Sequence, residues 1–338
     1  AWAVKGYQKL KSAGFCLTRV VSSNDKSLGR LPLAQSAPKR YRGFGEEALN
    51  CGRYGMIKEC LAGHFIAKRI VCGREWCPTC GQDDSEHHNR RKRRFVARVF
   101  SMDSVGYFVF EVPLALRQHF HDTQALRAAG NYLTRQLRRQ GFSKGVRRWH
   151  FFGEPIISEN GSLDMGNYHP HLNVLVSAGA ISKARIRHVR LLWSEWLRVR
   201  YGGATFRTAP VHYSYTKEPG RKWHLLSYIT RPTFKVLNDG NRHIASDLYG
   251  FKNCSWFGTF SDADKQYGRE QFNTWLQALP SKARSGIVDA MAWDRYVNGF
   301  CPVCGAATKG VQGVHDMADV EMIRDFGGGL LHIRPPDT

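Results

Sequence analysis

The chain has 338 residues, which is enough for one large domain or two ordinary ones with an ample core. Its composition, with 42% hydrophobic and 12% aromatic residues, excludes a disordered chain, and no apolar run approaches the roughly 18 residues that a membrane helix needs. The 50 Lys and Arg residues outnumber 28 Asp and Glu residues and give a net charge of +22, which predicts nucleic acid as the partner, with a membrane surface as the weaker alternative.

The composition also divides the chain into segments and indicates its compartment. No secretory signal is apparent at the N-terminus, and the nine cysteines, several in Cys-x-x-Cys pairs, indicate reduced, metal-bound thiols in a cytoplasmic compartment. The four segments are a leader and linker over residues 1–47, a zinc-binding basic module over 48–100, a strand-and-helix domain over 101–240, and a helical or irregular C-terminal region over 241–338.

The second segment contains three cysteines close together in "CGREWCPTCG", namely Cys72, Cys77 and Cys80. The Cys77–Cys80 spacing is typical of a zinc knuckle, so we expect a structural, all-thiolate zinc site that is closed to substrate. The fourth ligand is open among three residues: Cys51, which we prefer because its "CG" is similar to the other half of such a site, Cys60 and His64.

A basic run, "HHNRRKRRFVAR", follows the cysteines directly. If this run is helical, it places a stripe of positive charge along DNA, because phosphate contacts reward clustered Lys and Arg. The residues of this predicted DNA-binding stripe are Arg90, Arg91, Lys92, Arg93 and Arg94.

The third segment alternates between strand and helix patterns. Strands are predicted over 106–116, 146–156, 166–179 and 209–218 from their β-branched and aromatic runs. Helices are predicted over 122–142, with Asp122 or Thr123 as the cap and an end near Gly141, over 182–202, capped by Ser182, and over 221–232, ended by Pro232. The order β-α-β-β-α-β-α predicts an α+β fold of the split β-α-β type, with an antiparallel sheet and helices packed on one face.

The C-terminal segment carries weaker signals. Residues 264–279 are predicted to form one more helix. The sequence "CPVCG" supplies half of a second metal site through Cys301 and Cys304. The remaining ligands are open among Cys254, His315, His332 and any ligand that the first cysteine group leaves unused.

Two histidines, His169 and His171, stand one residue apart at the head of the apolar run "YHPHLNVLV". Because side chains alternate along a strand, both rings point to the same face, where two neutral imidazoles can hold one divalent ion. Pro170 cannot donate a ladder hydrogen bond, but it favours an extended conformation at the residue before it.

The stretch "HPHLNVLV" resembles the histidine-hydrophobe-histidine motif of the HUH single-strand DNA endonucleases, which include rolling-circle replication initiators, conjugative relaxases and some single-strand transposases. "FVFEVPLAL" is similar to the family's first strand motif, and "LLSYITR" (225–231) resembles the third motif of the initiators. The resemblance covers residues 106–235. It implies the same β-α-β-β-α-β sheet, Mg²⁺ or Mn²⁺ on the two histidines, and a nucleophilic tyrosine on a later helix.

Carried over residue by residue, the resemblance makes Tyr228 the nucleophile and Arg231 its basic companion, a position at which the family more often has lysine. Attack by such a tyrosine leaves a 5′-phosphotyrosine and a free 3′-OH. The alternative tyrosines, Tyr213 and Tyr215, alternate on a strand and are more typical of sheet packing. Glu154, at the end of the preceding strand and on the same face as His150, is the expected third ligand of the Mg²⁺ or Mn²⁺ ion.

The resemblance implies an enzyme that nicks and joins single-stranded or hairpin DNA at a replication origin or an element end. Initiation of rolling-circle replication is preferred because of the initiator-like third motif. Two alternatives stay open: a single-strand transposase with the same chemistry, and a zinc-containing DNA-binding regulator without catalysis. No GxxxxGK[ST] motif occurs, so a host helicase would unwind the DNA and a host polymerase would extend it.

Overall fold

The computed structural model describes residues 51–72, 77, 79–152, 156–157, 163–164, 168–202, 206–233, 247–248, 251–284 and 287–335. The predicted leader, 1–47, lies outside these residues. The chain forms two compact units. Unit 1 combines Ala1–Arg94 with Leu276–Thr338, and unit 2 is Phe95–Trp275. The predicted segments differ from this division, because the C-terminal region belongs largely to the same unit as the cysteine-rich module.

The described residues contain the following elements in chain order. Helices α1 to α7 are Glu86–Phe100, Thr123–Arg139, Lys183–Tyr201, Pro219–Ile229, Asp262–Ala278, Ser281–Arg284 and Ala290–Val297, and two 3-10 helices are Leu114–His121 and Met317–Asp319. Strands β1 to β12 are Tyr54–Cys60, Phe65–Arg69, Val105–Glu111, Gly145–Phe152, Ile156–Ile157, Leu163–Asp164, Tyr168–Ser177, Val211–Thr216, Cys254–Phe257, Thr308–Asp316, Met322–Asp325 and Leu330–Ile333. None of the described helices has the length and apolar character that crossing a bilayer requires.

Unit 1 is built on a five-stranded antiparallel sheet of order β10-β1-β2-β12-β11. Its buried face carries Ile57, Ala67, Leu331 and Ile333, which pack into one cluster. The prediction of a helical or irregular C-terminal region is therefore wrong for 308–333, where three strands complete the sheet. A hairpin of two short strands is marginal alone, so β1 and β2 depend on strands from the far end of the chain.

Unit 2 is built on a second five-stranded antiparallel sheet, of order β8-β3-β7-β4-β9. Strand β7 lies at its centre, where residues 170–176 are buried, as their apolar run predicts for a strand covered on both faces. This confirms an α+β class with an antiparallel sheet.

The helices of unit 2 lie on both faces of this sheet. On one face, the ring of Trp193 in α3 packs edge-on against Phe110, and its Nε1 donates a hydrogen bond to a backbone carbonyl of β3. On the same face, the guanidinium of Arg147 in β4 donates a hydrogen bond to a side chain of α2. On the other face, Tyr228 of α4 packs edge-on against Tyr107. The prediction of helices on one face is wrong, because β3 carries aromatic side chains on both sides and each side needs a cover.

Capping residues mark the N-terminal ends of α2 and α3 in unit 2. The carboxylate of Asp122 accepts from the N–H groups of Gln124 (2.9 Å) and Ala125 (3.2 Å), and the hydroxyl of Ser182 accepts from the N–H of Arg185 (3.2 Å). Both predicted caps are confirmed, since these side chains satisfy N–H groups that the first helical turn leaves without partners.

The end of α1 and the helix α5 approach closely at Gly268. A Cβ atom at this position would collide with the carbonyl of Ala97, a backbone group that cannot turn aside. The two helices therefore pack backbone against backbone in unit 2, which a residue without a side chain permits.

Candidate functional site

Three neighbouring strands of unit 2 bring polar side chains into one row. The register of the sheet places His171 of β7 opposite Glu111 of β3 on one side and opposite His150 of β4 on the other. Residues paired directly across antiparallel strands point to the same face. His169, two residues before His171, shares that face, as its spacing predicts.

The side chains of this row are in contact. The ring centroid of His171 lies 5.4 Å from those of His169 and His150. Oε2 of Glu111 lies 3.3 Å from Nε2 of His169, and its Oε1 lies 3.0 Å from Nε2 of His212 on β8. One carboxylate therefore stands between two imidazoles at the end of the sheet.

The hydrogen bonds of the row determine which ring nitrogens of the histidines can bind a metal ion. Nδ1 of His171 lies 2.8 Å from the carbonyl oxygen of His169 and donates to it, which leaves Nε2 of His171 as a lone-pair donor to an ion. Nε2 of His169 is buried and faces Oε2 of Glu111, 3.3 Å away. The ligand atoms of His169, His171 and Glu111 do not form a group within 4.8 Å of one another, so a metal ion in this row stays a prediction.

Both imidazoles are held in their neutral form. Burial lowers the pKa of His171, because the imidazolium loses its hydration there. Burial and the positive charge of Arg117 lower the pKa of His169, against the opposing effect of Glu111. Neutral rings are the form in which histidine binds metal.

Tyr228 lies beside this row. Its ring centroid is 5.5 Å from that of His150 and 6.2 Å from that of Tyr107, and the guanidinium of Arg231 lies 4.9 Å from the ring centroid. Helix α4 ends at Ile229, before the predicted end near Pro232, so Arg231 reaches the tyrosine from the turn after the helix. The alternative tyrosine Tyr213 packs against Phe108, on the opposite face of the sheet.

The expected third ligand, Glu154, lies outside the described residues. The carboxylate that the structure places beside the histidines is Glu111, which the sequence-based reasoning did not single out. A signal for it was present. Glu111 ends the strand of the "FVFEVPLAL" motif, and pairing that strand with β7 would have placed it next to His171.

The first cysteine group forms a compact cluster in unit 1. The sulfur atoms of Cys51, Cys72, Cys77 and Cys80 all lie within 4.8 Å of one another, with 3.6 Å between those of Cys72 and Cys80. Hydrogen bonds from the other three thiols lower the pKa of Cys77. The preferred fourth ligand, Cys51, is therefore confirmed as a member of this group.

The second cluster of unit 1 brings Cys301 and Cys304 together with Cys60 and His64, again with all four ligand atoms within 4.8 Å. Cys60 and His64 are therefore not part of the first site but complete the second. Burial would raise the pKa of Cys60, but N–H groups of the adjoining turn donate to its sulfur and bring the pKa to about 7. Each cluster could hold a metal ion such as zinc.

The other ligands considered for the second site lie outside this cluster. Cys254 lies on β9 of unit 2. His332 packs edge-on against His64, with 5.3 Å between ring centroids, but does not belong to the group of four ligands, and neither does His315.

The basic run lies on α1, as predicted, but it is not a solvent-facing stripe. The side chain of Arg90 donates to the carbonyls of Arg69 (2.8 Å) and Gly328 (2.8 Å), Lys92 is only 2% exposed and pairs with Asp84, and Arg93 pairs with Asp294 at 3.1 Å. Three of the five charges thus bind parts of unit 1. Of the other two, Arg94 is exposed and Arg91 is half-buried with a contact to His87 at 3.3 Å, so DNA binding by this helix stays a prediction for these two.

Comparison with models of known protein families, with curated proteins and with solved structures found no match for this chain.

Proposed function

We propose that the chain is a metal-dependent enzyme that nicks and joins single-stranded DNA at a specific site, with Tyr228 as the nucleophile. Its role would be to initiate rolling-circle replication of a plasmid or phage. The observation that carries this proposal is the position of Tyr228, whose ring lies 5.5 Å from His150, while His150 lies 5.4 Å from His171. Tyr228 packs on Tyr107, on the same face of the sheet as the proposed ligands His169 and His171, as a tyrosine that attacks a metal-bound phosphate would need to.

The row offers ligand types that a hard divalent cation would use, and the proposed ion would draw them together. The lone pair on Nε2 of His171, the buried Nε2 of His169 and the carboxylate of Glu111 together offer two nitrogens and an oxygen. This donor set suits Mg²⁺ or Mn²⁺ in a site that keeps open positions. When bound, such an ion would polarise the phosphate that is to be cleaved.

Two residues of the chain would take part in the transfer of the DNA phosphate to the tyrosine. The phenolic oxygen of Tyr228 attacks the phosphorus, so a bond from oxygen to phosphorus forms while the bond from phosphorus to the 3′ oxygen breaks. The phenol loses its proton to a base and the departing 3′ oxygen gains one. Arg231, whose guanidinium lies over the tyrosine ring, favours the negative charge that develops on the phenolic oxygen. The product is a 5′-phosphotyrosine with a free 3′-OH.

The covalent intermediate explains how one site both cuts and joins. A phosphotyrosine preserves the energy of the original phosphodiester, so a second 3′-OH can attack it and release the tyrosine. A single-strand transposase would use the same residues, and the DNA substrate that is cleaved distinguishes the two roles. The zinc clusters of unit 1 are proposed as structural, since tetrahedra closed by protein ligands leave no position for substrate.

The test is formation of a covalent adduct. The full chain is incubated with Mn²⁺ and a library of single-stranded and hairpin oligonucleotides, and products that resist denaturation are separated by size. We expect a protein–DNA adduct whose digestion yields a phosphotyrosine peptide containing Tyr228. Tyr228→Phe should abolish the adduct and preserve DNA binding, because only one hydroxyl is removed.

Matched controls separate chemistry from folding. Tyr215→Phe removes a hydroxyl from a tyrosine that is 47% exposed, and it should leave the adduct unchanged. The double change of His169 and His171 to Ala should abolish Mn²⁺-dependent cleavage, whereas His188→Ala, on the exposed side of α3, should not. An adduct that persists in Tyr228→Phe would place the nucleophile elsewhere. DNA binding with no adduct under any metal would favour a non-catalytic regulator.

A further inference from the structure

The second cysteine cluster joins two parts of unit 1 that are far apart in the chain. Cys60 ends β1 and His64 lies just before β2, so both belong to one hairpin. Cys301 and Cys304 lie about 240 residues later, in the turn that leads into β10. Because β10 pairs with β1, the sheet itself brings the two turns together, with Cys60 opposite Thr308.

Three distances within the cluster match those expected for a tetrahedral zinc site. With Zn–S near 2.3 Å and Zn–N near 2.0 Å, tetrahedral angles put two sulfurs about 3.8 Å apart and a sulfur and a nitrogen about 3.5 Å apart. The sulfurs of Cys60 and Cys304 are 3.9 Å apart, and Nδ1 of His64 lies 3.5 Å from the sulfur of Cys60 and 3.9 Å from that of Cys301. A disulfide would need about 2.05 Å, so these thiols are not bonded to each other.

The backbone of both turns is shaped to present these ligands. Gly63 (φ 82°) and Gly305 (φ 80°) adopt left-handed conformations that a residue with a side chain rarely takes. These conformations let N–H groups point at the sulfurs: the N–H of His64 lies 3.3 Å from the sulfur of Cys60, and backbone N–H groups donate to Cys301.

We propose that Cys60, His64, Cys301 and Cys304 bind a second Zn²⁺ ion, distinct from the four-cysteine cluster, and that this ion ties the β1–β2 hairpin to the segment before β10. The ion would be a structural clasp for unit 1. Both Cys60 and Cys301 are fully buried, so an ion there would be shielded from solvent on one side. The inference does not depend on the proposed catalytic function, because none of its ligands belongs to unit 2.

The first test measures how many zinc ions each chain contains. The full chain is purified without chelators, and its zinc is quantified by elemental mass spectrometry. The two clusters predict two zinc ions per chain. Cys304→Ala should lower the content to one, because Cys304 is the exposed ligand and its loss disturbs packing least. The matched control is Cys254→Ala, a thiol outside both clusters, which should keep two.

The second test uses the wild-type chain and does not depend on a variant that folds. X-ray absorption at the zinc edge averages over both ions, so seven sulfurs and one imidazole nitrogen over two ions give a mean of three and a half sulfurs and half a nitrogen per zinc. One zinc per chain with four sulfurs and no nitrogen would overturn the proposal. Two zinc ions in Cys304→Ala, or a Cys60–Cys304 disulfide in the mass spectrum, would also overturn it.

A separate measurement tests whether the ion holds the hairpin and the segment before β10 together. Hydrogen exchange of peptides covering β10 should become faster in Cys304→Ala, because the segment before β10 is no longer held to the hairpin, while peptides of β7 in unit 2 should be unchanged. Unchanged protection of β10 in a variant that has lost one zinc would show that the ion binds without clasping.

Discussion

Lys68 on β2 is a partly buried cation in unit 1, and replacing it should stabilise the protein in a way that depends on pH. Burial, followed by the positive charges of Arg90, Lys58, Arg93 and Arg94, lowers the pKa of Lys68 from 10.5 to about 8. At about 1.4 kcal/mol for each tenfold change in proton affinity, this difference corresponds to about 3 kcal/mol of destabilisation at pH 7.

Part of this cost is offset by contacts that Lys68→Met would lose. The ammonium lies 5.9 Å from the ring centroids of both Trp293 and Tyr296, and each such contact is worth about 0.5–1 kcal/mol. We therefore expect Lys68→Met to raise the free energy of unfolding by about 1–2 kcal/mol at pH 7.

The pH dependence of this effect has a definite sign. Between pH 8 and 10.5 the unfolded chain binds more protons at Lys68 than the folded chain does, so the wild-type protein gains stability as the pH rises. The advantage of Lys68→Met should therefore be fully present below pH 8 and shrink towards pH 10.5. Above that range the lysine is neutral in both states.

The measurement is urea denaturation of both proteins from pH 7 to pH 10.5, followed by tryptophan fluorescence. Lys309→Met is the matched control, because Lys309 is 47% exposed and pairs with Glu59 at the surface, a contact worth at most about 1 kcal/mol. The control should show no gain in stability at any pH. A loss of stability in Lys68→Met at pH 7, or a gain that does not change with pH, would refute the reasoning.

Three further predictions concern unit 2. Trp193→Ala should lower the free energy of unfolding by about 3–5 kcal/mol in urea denaturation, because a fully buried ring and its hydrogen bond to β3 are lost; a loss below about 1 kcal/mol would contradict this packing. Gly268→Ala should destabilise by about 1–3 kcal/mol although alanine favours helices, whereas Gly220→Ala, whose added Cβ meets only ordinary contacts, should be neutral or stabilising. Glu111→Gln should reduce Mn²⁺-dependent adduct formation at least about tenfold with an unchanged circular dichroism spectrum, and an equal or larger loss in Glu154→Gln would return the third ligand to that residue.

The local part of the fold could be predicted from the sequence. The caps at Asp122 and Ser182 and the apolar run after His171 are signals carried by a few neighbouring residues, and each marks an element that the structure contains. These signals work because capping and side-chain alternation depend on hydrogen bonds and geometry within one or two turns.

The unpredicted part of the fold depends on pairing between distant residues. Nothing in the pattern of 308–333 indicates that its strands complete a sheet begun at Tyr54, because edge pairing is made by backbone groups that every residue carries. The grouping of Cys60 and His64 with Cys301 in one cluster follows from the pairing of β1 with β10. Ligand types can be recognised in a sequence, but their grouping requires the sheet.

The candidate active site shows the same division. That His169 and His171 share a face could be predicted, because side chains along a strand alternate with a period of two residues. That Glu111 lies beside them could not, because it depends on the register of β3 against β7. The basic run on α1 was misjudged for another reason: Lys and Arg can bury their stems and donate to carbonyls, so a row of charges does not reveal which of them meet solvent.

The interrupted course of unit 1 bears on the order in which the protein folds as the ribosome makes it. Every described strand of the sheet in unit 2 lies between Val105 and Phe257, so all of them are synthesised before residues 276–338 of unit 1. Domains generally fold as units during synthesis. The hairpin at Tyr54–Arg69 is therefore synthesised long before β10 and β12, the strands that pair with it in the finished sheet.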